Sequence, residues 1–141
     1  MAAGAPKSFA AAVEAWARKT EELQTDILHA ALRLLVDEVT RSKDEGGHLP
    51  IDEGNLRNSV AVSTLAPITY DWTVSKFRDP SDAVNNAVAG VAVGQTAWIG
   101  FRAPYAHLRE ADHGFVRLAA QRWPAIVEEA ARAVVSRRGR Q

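Results

Sequence analysis

His107, Glu110, Asp112 and His113 form the one cluster in the chain whose side chains suit metal-ligand chemistry. On a helix, His107 and Glu110 stand three residues apart and share a face. A catalytic zinc needs three protein ligands and an open position for water. Here a third clear ligand is missing, none of the known two-histidine zinc motifs is present, and His29 and His48 lie in unrelated contexts. The cluster therefore reads as a helix end decorated with solvated polar residues. Other catalytic patterns are missing too. There is no Gly-x-Ser-x-Gly elbow and no Gly-rich phosphate loop, and with no cysteine there is no thiolate nucleophile, disulfide or thiolate metal site. Asp52-Glu53 and Glu128-Glu129 read as surface charges rather than an acid and base couple. The sequence points away from an enzyme and implies no cofactor; a metal at His107 and His113 is the remaining catalytic alternative.

Charge narrows the partners. The 17 basic and 17 acidic residues cancel, whereas a chain built to coat phosphates carries a basic excess. Arg137, Arg138 and Arg140 could touch phosphates, but three arginines on a frayed tail give only weak, salt-sensitive attraction. Trp16, Trp72, Trp98 and Trp123 are scattered over different elements, so they read as core or interface anchors rather than a stacking platform. Sequence-specific nucleic-acid binding is not expected. Neutrality also lowers repulsion between copies and so favours self-association.

A length of 141 residues predicts one domain, 1–141, and an apolar fraction of 47% is enough for an ordinary core. Met1 to Lys7 lacks the charged start and apolar core of a leader. No run approaches the roughly 18 apolar residues of a membrane span. The expectation is a soluble intracellular or virion protein with no membrane partner.

The elements that carry these residues follow from periodicity. Residues 8–43 predict one long helix. Phe9, Val13, Trp16, Leu23, Ile27 and Leu34 mark one apolar stripe, and Leu28, Leu32, Leu35 and Val39 add a second toward the C-terminal end. Ser8 is the expected cap, Glu14 with Arg18 and Asp37 with Arg41 are favourable four-residue pairs, and Gly46-Gly47 is the expected stop. About 36 residues at about 1.5 Å each span roughly 54 Å, against a diameter of roughly 37 Å for a compact chain of this size. The helix should overhang its own domain. Phe9, Val13 and Trp16 on the overhang imply a partner surface, most simply a neighbouring copy. The alternative is a break near Thr20 or Thr25 that folds the helix back.

Residues 60–102 predict a small antiparallel sheet of four strands: one opening at Ser59 through Val60, Val62 and Thr64, one through Tyr70, Trp72 and Val74, then Ala87 to Val93 and Thr96 to Arg102. Pro67 makes the first turn and Gly94-Gln95 a tight one. Residues 77–86 predict a long projecting hairpin loop. Helices follow over 104–137: a short one from Pro104, stopped before Gly114, and a last one from Phe115 to about Ser136, kinked or restarted at Pro124 and packed on the sheet. A basic tail, 138–141, ends the chain. The fold class is α+β.

Two stretches stand out against this frame. The first is Pro50-Ile51-Asp52-Glu53-Gly54-Asn55-Leu56-Arg57-Asn58-Ser59, a loop ending in a one-turn helix, with Asp52 placed to cap the amides of Gly54 and Asn55 and Leu56 turned inward. The second is Tyr105-Ala106-His107-Leu108-Arg109-Glu110 leading into His113-Gly114-Phe115. Side by side in one short chain, they resemble the tail-completion, or head-to-tail joining, proteins of long-tailed bacteriophages, whose pattern runs roughly Pro-x-Asp-Thr-Gly-x-Leu-Arg-x-Ser, a β region, Tyr-Ala-x-x-x-Glu-x-Gly, then Phe and a final helix. The likeness covers residues 50 to about 135. Glu53 stands where that family usually carries Thr, and Ala111-Asp112-His113 lengthens the gap between Glu110 and Gly114.

The resemblance implies a virion protein of the neck or upper tail, in a phage or phage-derived particle, assembled in the bacterial cytoplasm. It would form a ring, commonly of six subunits, that completes the tail and joins it to the capsid. Its neighbours would be connector and tail-tube or tail-terminator proteins, with genome DNA passing through the lumen. On that reading Asp52, Gly54, Leu56, Arg57 and Ser59 fix the start of the sheet, and Arg57 forms a salt bridge to Glu110 or to a neighbouring subunit. Tyr105 and Glu110 hold the short helix at the same corner, and Gly114 and Phe115 complete the motif. The alternative function is a cytoplasmic interaction module that docks a partner through the long helix.

Overall fold

A computed structural model describes residues 8–50 and 54–139. The architecture is α+β: α1 (Phe9–Thr40), α2 (Gly54–Asn58), β1 (Val60–Ser63), α3 (Ser81–Ala89), β2 (Trp98–Phe101), α4 (Ala106–His113), α5 (Phe115–Gln121) and α6 (Trp123–Gly139).

The long helix forms as expected. The Ser8 hydroxyl accepts from the Ala11 amide at 3.1 Å and closes its N-terminus. The 32 residues of α1 run unbroken, about 48 Å at the usual rise. There is no fold-back at Thr20 or Thr25; the Thr20 hydroxyl donates to the Trp16 carbonyl at 2.9 Å and so stays within the helix. The helix ends at Thr40 rather than at 43, because Arg41 turns extended. Lys43 then donates to the Leu49 carbonyl at 2.9 Å and Leu49 to the Arg41 carbonyl at 3.1 Å, drawing the chain back on itself. Gly46-Gly47 therefore closes a separate 3-10 turn, Lys43–Glu45, instead of the helix.

Two strands form where four were expected. β1 and β2 pair antiparallel, with Val60 opposite Phe101 and Ser63 opposite Trp98. The segment through Tyr70, Trp72 and Val74 is not a strand. The Asp71 carboxylate accepts from the Thr73 amide at 3.0 Å and the Thr73 hydroxyl at 2.6 Å, which turns the chain where a strand would run straight. Nor is Ala87 to Val93 a strand. Most of it lies in or just after α3, whose buried Val84 and Val88 follow a four-residue step. The projecting loop expected at 77–86 is also absent: Phe77 is buried and α3 starts at Ser81. The Asp79 carboxylate accepts from the Ser81 amide at 2.9 Å at that start.

One sheet face, Val60 and Val62 with Phe101 and Ile99, belongs to the core with Leu32, Val36 and Val39 of α1 and Val84 and Val88 of α3. Residues 68–71 lie against the other face, where Ile68 rests on Gly100 and the Asp71 amide donates to the Arg102 carbonyl at 2.8 Å. A Cβ at Gly100 would stand 2.9 Å from the Ile68 Cβ, closer than two carbons pack. Gly100→Ala is thus expected to displace Ile68 and cost about 1–2 kcal/mol, read as a lower urea midpoint at unchanged slope.

The last helix restarts rather than kinks. Arg122 ends α5 and α6 begins at Trp123, which leaves Pro124 in the first turn, where a missing N–H breaks no helical bond. α6 packs along α1 instead of on the sheet. Ala31, Ile126 and Ala130 are buried between the two helices, flanked by Ile27, Leu34 and Val127. Glu38, nearly buried on α1, accepts from Arg41 at 2.8 Å and also from Arg122, which ties the end of α1 to the α5–α6 joint. Arg138 pairs with Asp26 at 2.5 Å. The expected tail is helical as far as Gly139, whereas Arg140 lies outside the described residues. No helix among the described residues is long and apolar enough to cross a membrane.

Candidate functional site

The two stretches singled out in the sequence meet at one corner, at the Val60–Phe101 end of the sheet. α2 is five residues long and buries Leu56 completely. Ser59 is buried beside it, its hydroxyl donating to the Leu56 carbonyl at 2.8 Å, and its own carbonyl accepts from the Arg102 amide at 2.9 Å. The turn is thereby locked to the residue that follows β2. The cap expected from Asp52 lies outside the described residues. The space where a Cβ of Gly54 would stand is open among the described residues, and nothing there explains the glycine.

Asn55, which the sequence reading left without a role, makes the link between the stretches. Its amide nitrogen donates to the Tyr105 hydroxyl oxygen at 3.2 Å and to the Ser75 carbonyl at 3.3 Å, while its carbonyl oxygen accepts from the Phe77 amide at 2.7 Å. Asn58 adds a bond to the Phe77 carbonyl at 3.3 Å. An Asn followed by a buried Leu at the foot of a strand is a weak signal, since the type is common in turns.

Arg57 does not reach Glu110. Its guanidinium donates to Glu45 at 2.9 Å, on the 3-10 turn after α1. Glu110 instead turns to the start of α5, where it accepts from the Val116 amide at 2.7 Å and the Arg117 amide at 3.1 Å. The reason is local. The first amides of a helix lack intrahelical acceptors and carry partial positive charge, so a carboxylate six residues upstream satisfies them both. Gly114 makes this return possible. At φ 63° it sits in the left-handed region, ends α4 by donating to the Glu110 carbonyl at 2.8 Å, and opens α5. The longer gap through Ala111-Asp112-His113 is thus absorbed as the last turn of α4. Phe115 follows immediately, is fully buried, and packs edge-on against Phe101 with centroids 5.1 Å apart.

Two members of the cluster weighed for metal chemistry are engaged otherwise. His107 donates through Nδ1 to the Pro104 carbonyl at 2.8 Å and lies beside the Tyr70 ring at 5.9 Å. Both Glu110 oxygens hold amides. Among the described residues no three histidine, aspartate or glutamate side chains converge as a metal site.

Large apolar side chains also face solvent at two other places among the described residues. The overhang of α1 carries Phe9, Val13 and Trp16 at 85%, 46% and 69% exposure. The first buried residue of α1 is Ala31. The segment between β1 and α3 exposes Leu65 at 91% and Trp72 at 79%, the latter in a stretch expected to be a half-buried strand.

Carboxylates at the surface turns are tuned by their neighbours. The hydroxyl and amide of Thr73, then Arg102, hold Asp71 below its ordinary range. The Ser42 hydroxyl and Arg57 lower Glu45, and the hydroxyl and amide of Ser81 lower Asp79. Burial raises Asp37, against the pull of Arg41. A lowered carboxylate stabilises the fold above its unfolded value and loses that contribution as pH falls through the folded one. Asp71→Asn is therefore expected to lower the melting temperature near neutral pH. The deficit should shrink once pH falls past the ordinary value of 3.8. Thermal melts across acid pH check this, and a deficit equal at both extremes would sink the assignment.

Comparison of the chain with protein-family models, with curated proteins and with solved structures gave no match.

Proposed function

We propose that this chain is a structural virion protein that forms a ring at the head-to-tail interface, or at the upper tail end, of a long-tailed phage or phage-derived particle. The observation that supports this reading best is the bare apolar ridge of Phe9, Val13 and Trp16 on an unbroken helix that outruns its own core. Large exposed apolar groups clustered on one rigid element serve association rather than chemistry. The contact between the two motif stretches at Asn55 and Tyr105 gives further support, because residues fifty apart in the resemblance share one corner. The role is scaffolding. Subunits match by shape and charge and enclose the genome without reading its sequence, between a connector on one side and a tail-tube or tail-terminator protein on the other.

Electron microscopy of particles from the source tests the proposal. A closed ring of this chain between capsid and tail tube is the expected result. Particles that carry no copy of it, with the protein instead bound to a non-viral partner through α1, would replace the joint by the interaction-module alternative.

A further inference from the structure

We propose that the ridge of Phe9, Val13 and Trp16 seats in an apolar groove of a second copy of this chain, formed by the C-terminal half of α1, β2 and the α5–α6 joint. The inference rests on the self-assembling reading above and adds the receptor surface and the sense of the contact. The groove holds about 450 Å³ and is lined by Leu35, Val39, Ala97, Ile99, Ala120 and Trp123, among others. It is the right length for the ridge. Phe9 to Trp16 is seven steps along the helix and so is Leu32 to Val39 in the groove lining, about 10 Å in each case.

A chain does not fill its own groove. Trp16 and Leu35 lie on the same unbroken helix, about 28 Å apart along its axis. The occupant comes from outside, and the exposed area says what kind. Phe9 and Trp16, at 85% and 69% exposure, present roughly 350 Å² of ring surface. With an equal area of groove a single contact buries roughly 700 Å², short of the roughly 1,200–2,000 Å² of a stable pairwise complex. A foreign partner held by the ridge alone would fall off. A second copy brings both ridge and groove, so each subunit makes two contacts and closure of a ring holds what one contact does not. The zero net charge leaves no long-range repulsion between copies to overcome.

The lack of cysteine makes the test direct. One pool carries Ala12→Cys, on the exposed helix face between Phe9 and Trp16; the other carries Ala120→Cys, exposed at the groove. Under mild oxidation across a concentration series, the mixed pools should yield a cross-linked dimer that neither pool gives alone. Adding Trp16→Asp to the first pool should cut its yield roughly tenfold or more. Self-linking of the Ala12→Cys pool alone, as efficient as in the mixture, would mean ridge against ridge and overturn the proposal. So would the absence of any cross-link, or one indifferent to Trp16→Asp. Particle imaging keeps the two ideas apart: a ring with no ridge-to-groove cross-link overturns this contact and leaves the joint, whereas cross-linking without a place in particles overturns the joint alone.

Discussion

Phe115→Ala is expected to cost about 3–5 kcal/mol of stability, the largest loss from any single truncation at the motif corner. The side chain is fully buried, its edge-on contact with Phe101 ties α5 to β2, and both rings belong to the central core cluster. Truncation leaves a ring-sized cavity, and its walls are not free to collapse. On one side stands Phe101, held by its pairing with Val60. On the other, the start of α5 is held by Glu110 through the Val116 and Arg117 amides. A cavity that relaxes poorly lies at the expensive end of the range. Urea denaturation checks the expectation, with Val116→Ala as the neighbouring control. Val116 is partly exposed on the same turn, and its truncation should stay within about 1 kcal/mol. Equal losses for the two would mean that the corner is not sealed by Phe115. A loosened corner also reaches the foot of α2, where the Ser59 carbonyl accepts from the Arg102 amide at 2.9 Å.

The same corner shows which parts of the fold the sequence carried. α1 was legible because its signals agree: a serine cap, unbroken periodicity and no internal glycine or proline. Its overhang followed from arithmetic on length, and the exposure of Phe9, Val13 and Trp16 matches that expectation. The middle of the chain was misread where two periods compete. Ala87, Ala89, Val91 and Val93 alternate like a strand, but Val84, Val88 and Val91 step by four and three, and the buried set is the latter. Asp79-Pro80-Ser81 settles the competition locally, with an acceptor placed to take the amide of Ser81. The same chemistry at Asp71 and Thr73 cancels the strand expected through Trp72. A turn made by a side chain is a single-residue signal, and alternation over five residues outweighs it by eye. Burial does not follow from alternation alone, as the exposed Trp72 shows. At the site, Leu56, Ser59 and Phe115 are buried, Tyr105 meets Asn55, and Gly114 separates α4 from α5. Arg57 with Glu110 failed because a carboxylate upstream of a helix start has nearer donors than an arginine on another element.

Asn55→Ala is the second large effect expected, about 2–4 kcal/mol, because three hydrogen bonds leave with one small side chain. The greater part of the loss comes from what stays behind. The Phe77 amide, on a buried residue, loses the Asn55 oxygen that accepts from it at 2.7 Å. An unsatisfied buried donor costs about 1–3 kcal/mol by itself, more than the net worth of the bond that satisfied it. The bonds to Ser75 and Tyr105 are longer, 3.3 and 3.2 Å, and lie nearer to solvent. A graded series separates these contributions. Tyr105→Phe removes only the link between the two motif stretches and should cost about 1 kcal/mol or less. Asn55→Asp keeps the acceptor for Phe77 and gives up both donated bonds, so it should fall between the two. If Tyr105→Phe proved as damaging as Asn55→Ala, the hydroxyl and not the Phe77 amide would be the anchor of the corner. The predicted order instead makes Asn55 the residue that fastens the segment leading into α3 to the foot of the sheet. Loosening it should free Leu65 and Trp72 along with that segment, which amide hydrogen exchange over residues 64–77 would register as faster exchange while α1 and α6 keep their protection.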